Sequence, residues 1–126
     1  MGVGLTLDAG ALIAFERNDR QVTALVKRAR ERGEMLAAPA GVVGQVWRDG
    51  RRQVRLARLL GSGAVKVVAL DDLGARSAGQ LCGTAGTSDV IDASVVLCSR
   101  VRSRRVVTSD ADHMRSLDSR IDIIPC

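Results

Sequence analysis

Short aliphatic runs alternate with helix-period segments from one end of this chain to the other, and that alternation limits the folds open to it. "GLTLDAG" (4–10) opens as an apolar strand that stops at Asp8, and "ALIAFERN" continues as a helix. "DRQVTALVKRARERGE" (19–34) reads as a helix capped by Asp19, striped by Val22, Leu25, Val26 and Ala29, and stopped at Gly33. "MLAA" (35–38) is a short strand, Pro39 suits the start of a helix over 40–48, and 51–61 reads as another helix. "AVKVVAL" (64–70) is β-branched and predicts a buried strand, followed by a helix from Asp71 or Asp72 to about Leu81 and a loop over 83–88. Ser88 is the expected N-cap of a helix over 89–101, and "RRVVTSD", "ADHMRSL" and "IDIIP" complete the chain as strand, helix and strand. Strands regularly separated by helices predict an α/β fold, a three-layer α/β/α sandwich with a mostly parallel central sheet. The 126 residues suit one domain spanning 1–126, with no repeat, low-complexity segment or linker.

Composition narrows the function. The chain is 46% hydrophobic but only 2% aromatic, so Val, Leu, Ile and Ala must build the core, and base stacking on aromatic platforms is nearly excluded. The net charge is +5, and all cations but Lys27 and Lys66 are arginine. An Arg-rich basic chain points to nucleic acid or an acidic protein partner, against the plainer account of Arg-biased codon usage. Three scattered cysteines and a single histidine argue against a zinc site or a disulfide framework, and fit the reducing cytoplasm. No signal peptide and no bilayer-length apolar run is seen.

Asp residues gather where a parallel sheet keeps its sites. Asp8 ends the first strand, and Asp110 follows the strand 105–108 behind Thr108 and Ser109. Asp89 and Asp92, three residues apart, share one face at the start of a helix. A turn role or a dipole-complementing role explains each Asp alone, but not the recurrence. Carboxylates brought together repel unless a cation joins them, and oxygen donors without His or Cys suit Mg²⁺ or Mn²⁺. "GTAGTSD" lacks a P-loop lysine, "GSG" precedes a strand rather than a helix, and no nucleophile elbow accompanies His113, which reads as a surface helix residue. A phosphotransfer receiver would need an acidic pair after the first strand and a late lysine, and has neither.

The four pieces "LTLDAGALIA", "APAGVVGQVWR", "TSDVIDASVV" and "VVTSDADHM", in this order, resemble PIN-domain proteins, and among them the VapC-type toxins of bacterial toxin–antitoxin pairs. The resemblance covers essentially the whole chain. It implies a metal-dependent endoribonuclease using Mg²⁺ or Mn²⁺, an RNA substrate, a cognate antitoxin that masks the site, and commonly a homodimer. By position, Asp8, Asp89 and Asp110 match the family's acids, with Asp92 beside the second as a further metal ligand, and Thr108 and Ser109 match the polar pair that orients carboxylates.

Two positions depart from the pattern. Gln45 stands where the family carries Glu, and Gly10 where many relatives carry Ser or Thr. Three accounts fit the amide: a natural low-activity variant, a site that works through its Asp residues alone, or a deliberate inactivating substitution. The alternative function is a catalytically impaired PIN domain that binds antitoxin or RNA without cutting. For substrate grip the sequence offers Arg48, Arg51 or Arg52, Arg55 and Arg58 as a cationic stripe if helix runs through them, and a second cluster of Arg100, Arg102, Arg104 and Arg105.

Overall fold

A computed structural model describes residues 4–101 and 104–126; Arg102 of the second arginine cluster lies outside them. The elements run in order β1 (Leu5–Leu7), α1 (Ala9–Glu16), α2 (Arg20–Glu31), β2 (Leu36–Pro39), α3 (Ala40–Val46), α4 (Val54–Gly61), β3 (Val65–Val68), α5 (Asp72–Ala85), α6 (Val90–Val101), β4 (Arg105–Thr108), α7 (Ala111–Leu117) and β5 (Ile123–Pro125). All the strands pair in parallel, in the order β3-β2-β1-β4-β5. The chain steps outward through β1, β2 and β3, then crosses back over the sheet to β4 and β5. Right-handed crossovers send connections of opposite direction to opposite faces. Accordingly α1 packs with α2 and α4, while α6 covers β1, β2 and β4 and packs with α5 and α7, completing the three layers.

The interior is aliphatic, as the composition requires. Leu7, Leu12, Leu36, Leu56, Val95, Val96, Val106, Val107 and Met114 are fully buried, drawn from the central strands and from helices on both faces. Burying a side chain of this size removes apolar surface worth about 1.5–3 kcal/mol.

The structure corrects four expectations drawn from the sequence. The run 64–70 is not a buried strand: β3 is a sheet edge, where Val65 is buried but Lys66 and Val67 are exposed. A lysine on an edge discourages pairing with another chain. The helix expected over 51–61 starts only at Val54, because Arg51 and Arg52 belong to a turn held by the Asp49 carboxylate and the Gln53 amide. Helix α5 runs on to Ala85, closed by Gly86 in the left-handed region at φ 75°. Finally, Asp89 rather than Ser88 closes the first turn of α6: its carboxylate accepts from the Asp92 amide at 3.0 Å.

Candidate metal centre at the sheet switch point

Strands β1 and β4 are neighbours whose outgoing connections leave in opposite directions, which opens a crevice beyond their carboxyl ends. Asp8 leaves β1 directly into it. Its amide donates to the Val107 carbonyl at 3.3 Å, and its Oδ1 accepts from the Ala11 amide at 2.9 Å as the N-cap of α1. Only 5% of the residue is exposed. Burial pushes the Asp8 carboxyl above the ordinary carboxylate range; hydrogen bonds from Thr108, Ala11 and Gly10 pull the other way, and the Asp110 charge adds to the rise. Thr108 also receives the Asp110 amide on its hydroxyl at 2.9 Å, so one buried residue supports both strand-end acids. Asp110 is exposed and caps α7, accepting from the His113 amide at 3.3 Å.

The helix-start pair comes to the same place. The Asp92 carboxyl is pushed up to about 6, chiefly by burial and then by the Asp89 charge, with His113 opposing and Asp8 contributing a further rise. The site thus joins residues from the ends of β1 and β4 and the first turns of α6 and α7. Asp89, Asp92 and His113 offer ligand atoms all within 4.8 Å of one another.

His113 is the candidate site residue that its sequence context does not by itself reveal. It is half-buried rather than a surface residue, and its Nε2 stands 3.2 Å from Asp92 Oδ2. The legible signal was its spacing from Asp110: three residues into the same helix turn puts it on the site side of α7. The expectation of an all-oxygen set without histidine is corrected to that extent. At 3.2 Å the imidazole is engaged with the Asp92 carboxylate, where it can fix that carboxylate's orientation.

The donor set fits a hard divalent cation. Two carboxylates here are held above their usual range, each first by burial and then by neighbouring acids, Asp110 for Asp8, and Asp89 and Asp8 for Asp92. A cation in their midst would remove that repulsion.

The missing hydroxyl at Gly10 has a structural counterpart. A Cβ built on Gly10 would run into the Ser109 side chain, 2.8 Å from its Cβ and closer still to its hydroxyl. Ser109 therefore fills from the β4 side the space that a residue-10 side chain would take from the β1 side.

Gln45 lies exposed on α3, with no side-chain hydrogen bond among the described residues. One turn earlier, Gly41 abuts Ile91, the neighbour of Asp92 on α6; a Cβ there would stand 3.1 Å from Ile91 Cγ1. Residue 45 shares the helix face of residue 41, the side of α3 that meets α6.

The arginines divide. Arg48 turns back on its own helix end, donating to the Trp47 carbonyl at 2.7 Å and the Gly44 carbonyl at 3.2 Å. Arg51 and Arg52 project from the turn that follows, Arg52 loosely paired with Asp49 at 3.9 Å. Arg55 does not extend a stripe with them. Its guanidinium lies 4.8 Å over the Phe15 ring and donates to the Phe15 carbonyl and to Thr23, so it ties α4 to α1 and α2. Arg104 is likewise corrected as an RNA contact. It is 6% exposed, donates to the Cys98 carbonyl, and enters β4 at the end of the sheet opposite Asp110. Arg100 lies in the last turn of α6, about 16.5 Å of helix from Asp89, and is paired with Asp118 at 3.0 Å.

No family model matches the chain, and no curated protein matches it. Solved structures do. VapBC2 from Rickettsia felis, bound to a DNA fragment from its promoter, superposes with a TM-score of 0.70 at 10% identity, covering 98% of both chains. FitAB bound to an IR36 DNA fragment gives 0.66 at 14% identity, over 96% of this chain and 94% of that one. FitAcB from Neisseria gonorrhoeae gives 0.63 at 16% identity, over 95% and 96%. The likeness runs nearly end to end in each case, and the chain has the three-layer fold of a VapC-type PIN domain.

Proposed function

We propose that this chain is a Mg²⁺- or Mn²⁺-dependent endoribonuclease, the toxin of a cytoplasmic toxin–antitoxin pair. The observation that carries the reading is the grouping of Asp89, Asp92 and His113, whose ligand atoms lie within 4.8 Å of one another, near enough to the buried Asp8 for its charge to act on Asp92. The arrangement suits a divalent ion facing a phosphodiester. The toxin–antitoxin nature of its VapBC and FitAB structural neighbours supports a cognate antitoxin as partner, and the reading includes a homodimer.

Asp8, Asp89, Asp92 and Asp110 would hold the ion. When bound, it supplies Lewis acidity and neutralises charge developing on the phosphate oxygens. The chain's own residues do the rest. Thr108 and the Ala11 amide fix Asp8, Ser109 packs the Gly10 gap, and His113 orients Asp92. Exposed Arg51 and Arg52 attract the RNA backbone. Gln45 contributes a neutral carbonyl where a carboxylate would strengthen ion binding.

The test is cleavage of a labelled RNA with Mn²⁺. EDTA and Asp8→Asn each abolish it, and Gln45→Glu raises it. Absence of cleavage by the Gln45→Glu protein at saturating Mn²⁺ would overturn the enzymatic reading. The neutral Gln45 favours one second reading, an impaired PIN domain that binds antitoxin or RNA; binding without cleavage in both proteins selects it.

A further inference from the structure

Trp47 is the sole tryptophan of a chain without tyrosine, and its place is unusual. The sequence puts it among Val42, Val43 and Val46 as core, yet it is 40% exposed. It closes α3 two residues beyond Gln45, in extended backbone. One buried side chain fixes the chain on both sides of it. Gln53 Oε1 accepts from the Arg48 amide at 2.7 Å and the Asp49 amide at 2.9 Å, while its Nε2 donates to the Val46 carbonyl at 2.8 Å. The turn then brings Gly50 against the indole. A Cβ on Gly50 would stand 2.8 Å from Cζ2 and 3.0 Å from Cη2 but 3.9 Å from Cε2, so the contact is with the outer edge of the ring rather than its face. Exposed Arg51 and Arg52 follow within the same turn.

An exposed indole on a pinned backbone, steadied at its edge and flanked by cations, combines the two elements by which proteins hold single-stranded nucleic acid: an aromatic face for a base and positive charge for its phosphate. We propose that Trp47 is the stacking platform for an unpaired base of the RNA substrate, the single exception to the near-exclusion of base stacking that so few aromatics imply. The proposal rests on the ribonucleolytic reading for the identity of the ligand. It also limits the substrate class: a base already paired in a helix has no free face to offer, so single-stranded RNA is selected over duplex.

The lone tryptophan makes the test direct, because intrinsic fluorescence reports residue 47 alone. The full-length protein is titrated with a short unstructured RNA, and separately with the duplex of the same sequence, in Ca²⁺ in place of Mg²⁺. Saturable quenching by the single strand and none by the duplex is expected. Trp47→Ala should weaken single-strand binding roughly tenfold to a hundredfold, with Trp47→Phe close to the parent. Circular dichroism verifies that both variants fold. Single-strand binding without quenching, or an unchanged affinity in folded Trp47→Ala, overturns the platform. Cleavage is assayed separately in the Gln45→Glu background. Cleavage with no stacking signal sinks only this inference, whereas a stacking signal without cleavage sinks the nuclease reading and leaves the platform standing.

Discussion

At the scale of single residues, the site is organised by who occupies limited space and by who carries charge. Gly10 and Ser109 compete for one volume. Gly10→Ser should therefore destabilise the protein by about 1–3 kcal/mol through overpacking, and the exchange Gly10→Ser with Ser109→Gly should recover most of the loss. Thermal denaturation of the three proteins checks this, and additive losses in the double variant would contradict the shared volume. Charge gives a second expectation. The Asp92 carboxyl sits at about 6 in the folded chain against 3.8 in the reference state, so the native protein binds that proton more tightly than the unfolded chain does. Its contribution to stability is complete below about 3.8 and is lost as pH rises through about 6. In EDTA, this group should lower the melting temperature across that window. Mn²⁺ should restore it at pH 7 and do little at pH 4, and Asp92→Asn should flatten both responses.

At the scale of elements, the turn between α3 and α4 shows why some of the molecule was legible and some was not. Periodicity and caps predicted α2 and its Asp19 cap nearly to the residue, because an amphipathic stripe and a local carboxylate are both written in sequence. The strand-end acids were legible for the same reason: each is set by its own strand. Gln53 was not. It looks like one polar residue in a basic helix, but its three hydrogen bonds reach back across the turn to residues 46, 48 and 49. They interrupt the helix expected over 51–61, detach Arg55 from the arginines before it, and hold Trp47 outward. His113 escaped for a related reason, since its partner Asp92 is 21 positions away and lies on another helix. Removing the Gln53 amide leaves two amides and one carbonyl without their partner. Gln53→Ala should cost about 2–4 kcal/mol in denaturant unfolding. It should also broaden the Trp47 emission before global unfolding, because the indole's seat loosens first.

At the scale of the whole molecule, part of the positive charge is held away from the site. The sheet separates it. Asp8 and Asp110 stand beyond the carboxyl ends of β1 and β4, while Arg104 and Arg105 enter at the amino end of β4. A strand of four residues spans about 13 Å, longer than the Debye length of about 8 Å at physiological salt, so the partly exposed Arg105 is largely screened from the crevice, while Arg104 is buried against Cys98. Arg100 adds the length of α6 to that separation and is already paired with Asp118. The turn arginines, by contrast, follow Gln45 and Trp47 directly. On the proposed reading, the salt dependence of RNA affinity should then include a contribution from this turn that Arg100 does not make. Replacing Arg51 and Arg52 together by Gln should reduce the slope of log affinity against log salt by about 1.4, the release expected for two single-strand phosphate contacts. Arg100→Gln should leave the slope unchanged although it removes the same charge per residue. Filter binding of a short single-stranded RNA over a salt series separates the two cases. Equal losses of slope per arginine removed would mean that overall charge, not the turn between α3 and α4, holds the RNA.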